Sequence, residues 1–255
     1  MDLLSAIILA VVEGLTEFLP VSSSGHTILA AVILGIAQTE FVKSFEIALE
    51  FGSILAVVVS YWKYFLDYEV LKRLAVAFLP TGIIGFVLYR VFKEILFGNA
   101  QIVLWALLVG GVFLILFELF YHEKAGTDQI SKIPYKHCLL IGLFQSISII
   151  PGASRSAPTI MGGLALGMKR QTIVLFSFLL AVPTMIAASG FDLIMSASQF
   201  SIGQFGVLLV GFFVAFLVAL VAIRLFLSYV KKHNFIPFGV YRIILVILFF
   251  FFVVL

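Results

Sequence analysis

The sequence predicts an all-α polytopic membrane protein built as an inverted-topology repeat. In this reading each half is one re-entrant helix–loop–helix followed by three transmembrane helices. Three observations lead there. Charged residues make up only 11% of the chain, against the roughly 25% usual in soluble domains. Apolar runs near the ~20 residues needed to cross a bilayer recur from end to end. Two polar islands interrupt the apolar pattern, Glu13 to His26 and Gly142 to Thr159, about half a chain apart. Because the apolar runs are continuous rather than alternating, a membrane β-barrel is excluded.

The first element covers residues 2–37. An apolar stretch from Asp2 to Val12 runs into the first island, Pro20 breaks it, and a second apolar piece follows from Thr27 to Ile36. Neither piece is long enough to span. Non-helical backbone at membrane depth survives only when buried in protein or lining a cavity, so the stretch reads as re-entrant. No basic segment precedes the first apolar run, and it is not read as a cleaved signal peptide. Three spans are expected near 44–62, 73–92 and 99–120. A polar loop from Tyr121 to Lys136 contains His122, Glu123, Lys124, Asp128 and Lys132.

The pattern then restarts. Residues 137–168 repeat the apolar–island–apolar order around Pro151-Gly152, and three further spans are expected near 171–192, 204–228 and 237–255. The chain is thus one integral membrane domain, 1–255, with repeat one at 1–121, a connecting loop at 122–136 and repeat two at 137–255. Aligned on their prolines, Glu17-Phe18-Leu19-Pro20 lies over Ser148-Ile149-Ile150-Pro151, and Ser23 over Ser154. A re-entrant element returns to its own side and three spans then change sides, so the halves are inverted relative to each other. Broken helices of inverted repeats commonly meet near the midplane to build a site.

Charge sets the orientation. One side collects Lys63, Lys72, Arg73, Lys124, Lys132, Lys136, Lys169, Arg170, Lys231 and Lys232, flanked by Arg224 and Arg242. The other holds Lys43, Arg90 and Lys93. The positive-inside rule makes the first side cytoplasmic and places both termini and the mouth of the first re-entrant element outside. The net charge of +3 therefore reports loop orientation and not a nucleic-acid partner. The single cysteine, Cys138, has no partner for an intrachain disulfide and no metal-ligand spacing, and is assigned to helix packing.

The islands carry the chemistry. Glu13 and Glu17 are four residues apart and share a helix face. After Pro20, Ser22, Ser23 and Ser24 open the next helix, where free N–H groups favour an anion. Gly25 admits close backbone approach and His26 follows in the first turn. In the second island Ser154, Arg155 and Ser156 sit where the helix restarts, with Thr159 one turn on. Arg155 is the one basic residue deep in either island, and a guanidinium beside hydroxyls and helix N-termini suits a phosphate. A nucleophilic hydroxyl or imidazole, an arginine and paired carboxylates are the parts of a phosphoryl-transfer site. The carboxylates suit a divalent cation, Mg²⁺ or Ca²⁺, with Glu13 and Glu17 as its expected ligands. Blander readings stand beside these: serines satisfy backbone at helix breaks, and an intramembrane arginine can simply neutralise a glutamate. Glu46, Glu50 and Gln145 are secondary candidates, and Glu118 is expected to be solvated at a membrane edge. The Phe-rich end, Leu248 to Leu255, is expected to face lipid.

The motifs EGLTEFLPVSSSGH at 13–26, FEIALEFGSILAVV at 45–58, PGASRSAPT at 151–159 and FSFLLAVP at 176–183 resemble those of the undecaprenyl-diphosphatase, or bacitracin-resistance, family. The resemblance covers essentially the whole chain. It implies hydrolysis of the terminal phosphate of undecaprenyl diphosphate, recycling of the carrier lipid for cell-wall synthesis, and bacitracin resistance. It implies that Glu13 and Glu17 serve catalysis and divalent-metal dependence. Ser23 and His26 would supply the nucleophile, or the nucleophile and its activating partner. Arg155 would bind phosphate, with Ser154, Ser156 and Thr159 around it. Three departures stand out: Ala157 before Pro158 where glycine is usual, Ser148 for alanine and Glu50 for glutamine. The implied partners are a polyprenyl diphosphate and the bilayer of a cell membrane; the oligomeric state is open, a homodimer included. An alternative from another class is a transporter or flippase of the polyprenyl phosphate carrier. A nucleophile paired with a base has no evident purpose in such a protein.

Overall fold

The computed structural model describes residues 1–37, 39–95, 100–122, 126–196 and 205–251. Side chains at 40, 89–95, 100 and 191–196 are outside the description. The described residues form ten α-helices and short 3₁₀ turns, with an isolated bridge between Thr127 and Met168. The helices are α1 Leu3–Thr16, α2 Ser23–Ile33, α3 Glu40–Tyr61, α4 Tyr68–Ile95, α5 Ala100–Phe120, α6 Tyr135–Gln145, α7 Ser156–Ala165, α8 Arg170–Ser196, α9 Phe205–Tyr229 and α10 Ile236–Phe249. The protein is an all-α, multi-pass membrane fold.

Among the described residues four helices are both long and apolar enough to cross a membrane: α4, α5, α8 and α9. The six expected spans differ at two places. α3 has 22 residues, about 33 Å at 1.5 Å per residue, but carries Glu40, Lys43, Glu46 and Glu50. α10 is 14 residues long to Phe249, and residues 252–255 lie outside the description, as do Glu123 and Lys124 of the expected loop. At the expected lipid-facing end Leu248, Phe250 and Phe251 are exposed, whereas Phe249 is buried.

Local chemistry explains the helix starts. Asp2 caps α1 by accepting from the Ser5 N–H at 2.7 Å, and Thr39 caps α3 through Val42. Both expected re-entrant elements are broken helices. α1 stops at Thr16, four residues before Pro20, and α2 restarts at Ser23. α6 passes into a 3₁₀ turn at Ser146–Ile149, and α7 restarts at Ser156 beyond Pro151-Gly152.

Packing crosses between the halves. α1 lies on α9 and α6 on α4; α3 packs on both α9 and α8, α4 on α8, and α5 on α10. Small residues permit two of these contacts. A Cβ on Gly14 of α1 would sit 2.7 Å from the Ala215 carbonyl oxygen of α9. One on Gly142 of α6 would sit 2.0 Å from that of Ala77 on α4. Close backbone approach at glycine is how membrane helices gain contact without a hydrophobic driving force. The largest core cluster gathers residues of α3 to α9, with Phe18, Phe176 and Phe178 fully buried in it. Cys138 is free, buried and packed in it, as assigned.

Two charge assignments are corrected. Glu118 is buried and not solvated: its carboxylate accepts from Nη1 and Nη2 of Arg170 and from the Phe235 N–H at 3.1 Å, tying α5, α8 and the start of α10 together. Arg242 does not flank the basic face. It is fully buried and donates to the Gly152 carbonyl at 2.6 Å and the Ala153 carbonyl at 3.2 Å, inside the second island.

Candidate active site

The two breaks meet. Glu17 is the residue after α1 and remains helical, its N–H bonded to the Glu13 carbonyl at 2.9 Å. The four-residue spacing therefore survives to the end of the helix and stacks the two carboxyls on one face. Both are buried. Glu17 is held from two sides. Arg155 Nη2 of the second island donates to Oε1 at 3.3 Å, and the Ser23 hydroxyl donates to Oε2 at 2.5 Å.

Arg155 occupies the residue before α7. Nη1 donates to the Ser177 carbonyl of α8 at 2.9 Å, and the guanidinium carbon lies 5.6 Å from the centre of the Phe18 ring. Its Nε is buried with no hydrogen-bond partner among the described residues. A buried donor left over is costly unless a ligand takes it. Ser156 Oγ donates to the Leu19 carbonyl at 3.0 Å, a further direct bond between the islands.

The two helix starts are built alike. Ser22 and Ser154 are the non-glycine residues with left-handed backbone among those described, at φ 70° and 73°. In each case the serine hydroxyl lies 3.2 Å from that of the serine two residues on, Ser24 or Ser156. Left-handed backbone in a non-glycine residue is strained and marks functional turns. The geometry pairs Ser22 with Ser154, one residue away from the proline-based alignment of Ser23 with Ser154, because the second turn is one residue longer. α2 has no side-chain cap. In α7, Ser154 Oγ accepts from the Ala157 N–H at 3.4 Å.

His26 is buried one turn into α2. Its Nδ1 is 2.7 Å from the Ser22 carbonyl and its Nε2 is 2.7 Å from the Tyr241 hydroxyl on α10. A carbonyl only accepts, so Nδ1 carries a proton, and in the neutral ring Nε2 holds the lone pair. The expected serine–imidazole pair is therefore not what is hydrogen-bonded: Ser23 is bonded to Glu17, and His26 to Ser22 and Tyr241.

The remaining candidates divide. Glu46 and Glu50 of α3 join the electrostatic neighbourhood of Glu13, and Glu50 that of Arg155. Glu50 also accepts from Ser189. Gln145 stands apart, its amide donating to the hydroxyls of Thr81 at 3.1 Å and Thr184 at 3.0 Å, where it ties α6 to α4 and α8. Thr159 is fully buried and donates back to the Arg155 carbonyl at 2.7 Å. Gly25 lies against Leu107 of α5. Tyr241 and Arg242 were missed by sequence reasoning. The available signal was a tyrosine–arginine pair inside the otherwise apolar run of α10.

The family model "Bacitracin resistance protein BacA" matches residues 6–248. Relatives named undecaprenyl-diphosphatase include one from Sulfurihydrogenibium sp., 51% identical over 98% of this chain and 99% of its own length. Another, from Persephonella marina, is 50% identical over 99% of this chain and all of its own length. A third, from Aquifex aeolicus, is 47% identical over 94% of each. With a match spanning both islands and nearly every helix, the chain belongs to the bacitracin resistance protein BacA family.

Proposed function

We propose that this protein is an integral membrane undecaprenyl-diphosphate phosphatase, releasing the terminal phosphate and returning the monophosphate carrier to envelope synthesis. The observation that carries the mechanism is the chain Ser23 Oγ–Glu17–Arg155, which joins a hydroxyl, a carboxylate and a guanidinium across the two islands. Arg155, through its unpartnered Nε, and the N-terminus of α2 bind the terminal phosphate. Ser23 Oγ attacks phosphorus, its proton passes to Glu17, and the polyprenyl monophosphate leaves. That leaving group carries a stable anion and needs no proton.

A divalent cation fits the donor set. Glu13 Oε1 is buried with no hydrogen-bond partner among the described residues, and beside Glu17 it offers the oxygen ligands that Mg²⁺ or Ca²⁺ takes. Among the described residues no three acidic, histidine or cysteine side chains converge as a complete cage. Glu13 and Glu17 would therefore hold the ion together with water and substrate oxygens. When bound, the ion supplies charge neutralisation at the phosphate.

The inverted repeat belongs to the same proposal. Its support is the paired Ser22 and Ser154 turns and the reciprocal packing of α1 on α9 and α6 on α4. In this arrangement the basic loops are cytoplasmic, the site opens outward, and the prenyl tail lies against lipid-facing helices.

The test is phosphate release from undecaprenyl or farnesyl diphosphate by the purified protein in detergent. Equal yields of phosphate and prenyl monophosphate are expected. Binding without release would point to carriage of the lipid instead and overturn the assignment.

A further inference from the structure

The His26–Tyr241 contact has no part in the serine–glutamate–arginine chain, yet it joins a buried imidazole to a helix far away in sequence. Their rings are within 8° of parallel with centres 5.4 Å apart. The Nδ1 proton is committed to the Ser22 carbonyl, so in the neutral ring the Tyr241 hydroxyl is the donor to Nε2. Any water bonding to Nε2 would have to break that contact. The phenol oxygen, by contrast, keeps free lone pairs, and Tyr241 is 43% exposed.

The tyrosine is held in place by its neighbour. Arg242 is fully buried and donates to carbonyls of Gly152, Ala153 and Ala106. A Cβ at Gly110 would lie 2.7 Å from its Nη1, so a glycine makes room for the guanidinium. α10 thus grips the second island through Arg242 and the first through Tyr241.

Resting on the phosphatase reading, we infer that Tyr241 is a catalytic residue, relaying a proton to His26 in the hydrolysis of a Ser23 phosphoester. A water bonded to the phenol oxygen attacks phosphorus. Its proton passes to that oxygen as the phenol proton passes to Nε2. The P–Oγ bond breaks, and Ser23 Oγ regains a proton from Glu17, which received one in the first step. Inorganic phosphate leaves, and imidazolium returns its proton to solvent. Every atom and charge is accounted for with water as the only co-reactant.

The test separates the two chemical steps. Tyr241→Phe keeps the ring and removes only the relay. Its phosphoenzyme should form at the wild-type rate in a single turnover and accumulate in the steady state, with turnover down by about a hundredfold. Tyr241→Leu, which removes the ring as well, should do the same if it folds. Equal slowing of both steps, or wild-type turnover by Tyr241→Phe, overturns the relay. A readout independent of activity is nitrogen NMR of a chain in which His122, His137 and His233 are replaced by glutamine. The His26 Nε2 resonance should shift downfield in Tyr241→Phe as it loses its donor. An unshifted resonance overturns the contact itself, whereas absence of any phosphoenzyme in the wild type would count against the Ser23 mechanism instead.

Discussion

Replacing Arg155 by lysine keeps the positive charge and removes the fork. In the structure the guanidinium reaches three places at once: the Ser177 carbonyl through Nη1, Glu17 through Nη2, and an open position at Nε. A lysine amine is a single point and serves one of these. With Glu17 buried beside it, the amine is expected to settle on the carboxylate, leaving the phosphate without its donor. Loss of one preorganised donor to a developing phosphoryl charge costs about 2.7–4 kcal/mol, or about 10²–10³ in kcat. Removing the charge is a different perturbation. Arg155→Ala strands the Glu17 carboxylate in the interior, and breaking a buried pair costs about 3–5 kcal/mol of stability. The pair of variants therefore separates catalysis from folding. The assay is phosphate release at saturating farnesyl diphosphate, with thermal unfolding followed in the same detergent. Arg155→Lys should melt near the wild type and turn over at least a hundredfold more slowly. Wild-type turnover by a folded Arg155→Lys would refute the assignment of Arg155 to the phosphate.

Other outcomes follow from the same contacts. Ser23→Ala should abolish phosphate release while leaving thermal stability close to wild type, since the serine is partly exposed and bonded to Glu17 alone through its hydroxyl. Removing divalent ions with a chelator should suppress turnover, and Glu13→Gln should weaken its restoration by added Mg²⁺ or Ca²⁺. Gly142→Ala forces a methyl onto the Ala77 carbonyl and should cost about 1–3 kcal/mol in unfolding. Gly206→Ala, where nothing lies within 4 Å, should not destabilise. Glu118→Gln should lower the melting temperature without altering KM, because its partners are Arg170 and the Phe235 backbone rather than substrate.

Much of the architecture was legible because membrane helices announce themselves locally. Length, apolarity and the proline-centred islands gave the broken helices, and four-residue spacing put Glu13 and Glu17 on one face. Arg155 stood out as a charge without an obvious surface. What sequence did not reveal was pairing across the fold. The Ser23 hydroxyl reaches Glu17 within the first break, six residues away, but His26 meets Tyr241 only once α10 has packed. Arg242 and Glu118 were misplaced for the same reason. Each lies near the end of an apolar run, where charge normally marks the interface, and each bonds to groups far away in sequence. Gln145 lies in the second island; its amide nitrogen donates to threonines beside the prolines of α4 and α8, while its buried Oε1 has no hydrogen-bond partner among the described residues.

The central claim is that one residue from each island acts on the same phosphate. Rapid mixing of the protein with substrate labelled in its terminal phosphate, followed by acid quench and peptide mapping, tests it directly. The account requires acid-stable label on Ser23, forming at least a hundredfold more slowly in Arg155→Lys. Acid-labile label on His26, or undiminished labelling in Arg155→Lys, would contradict it.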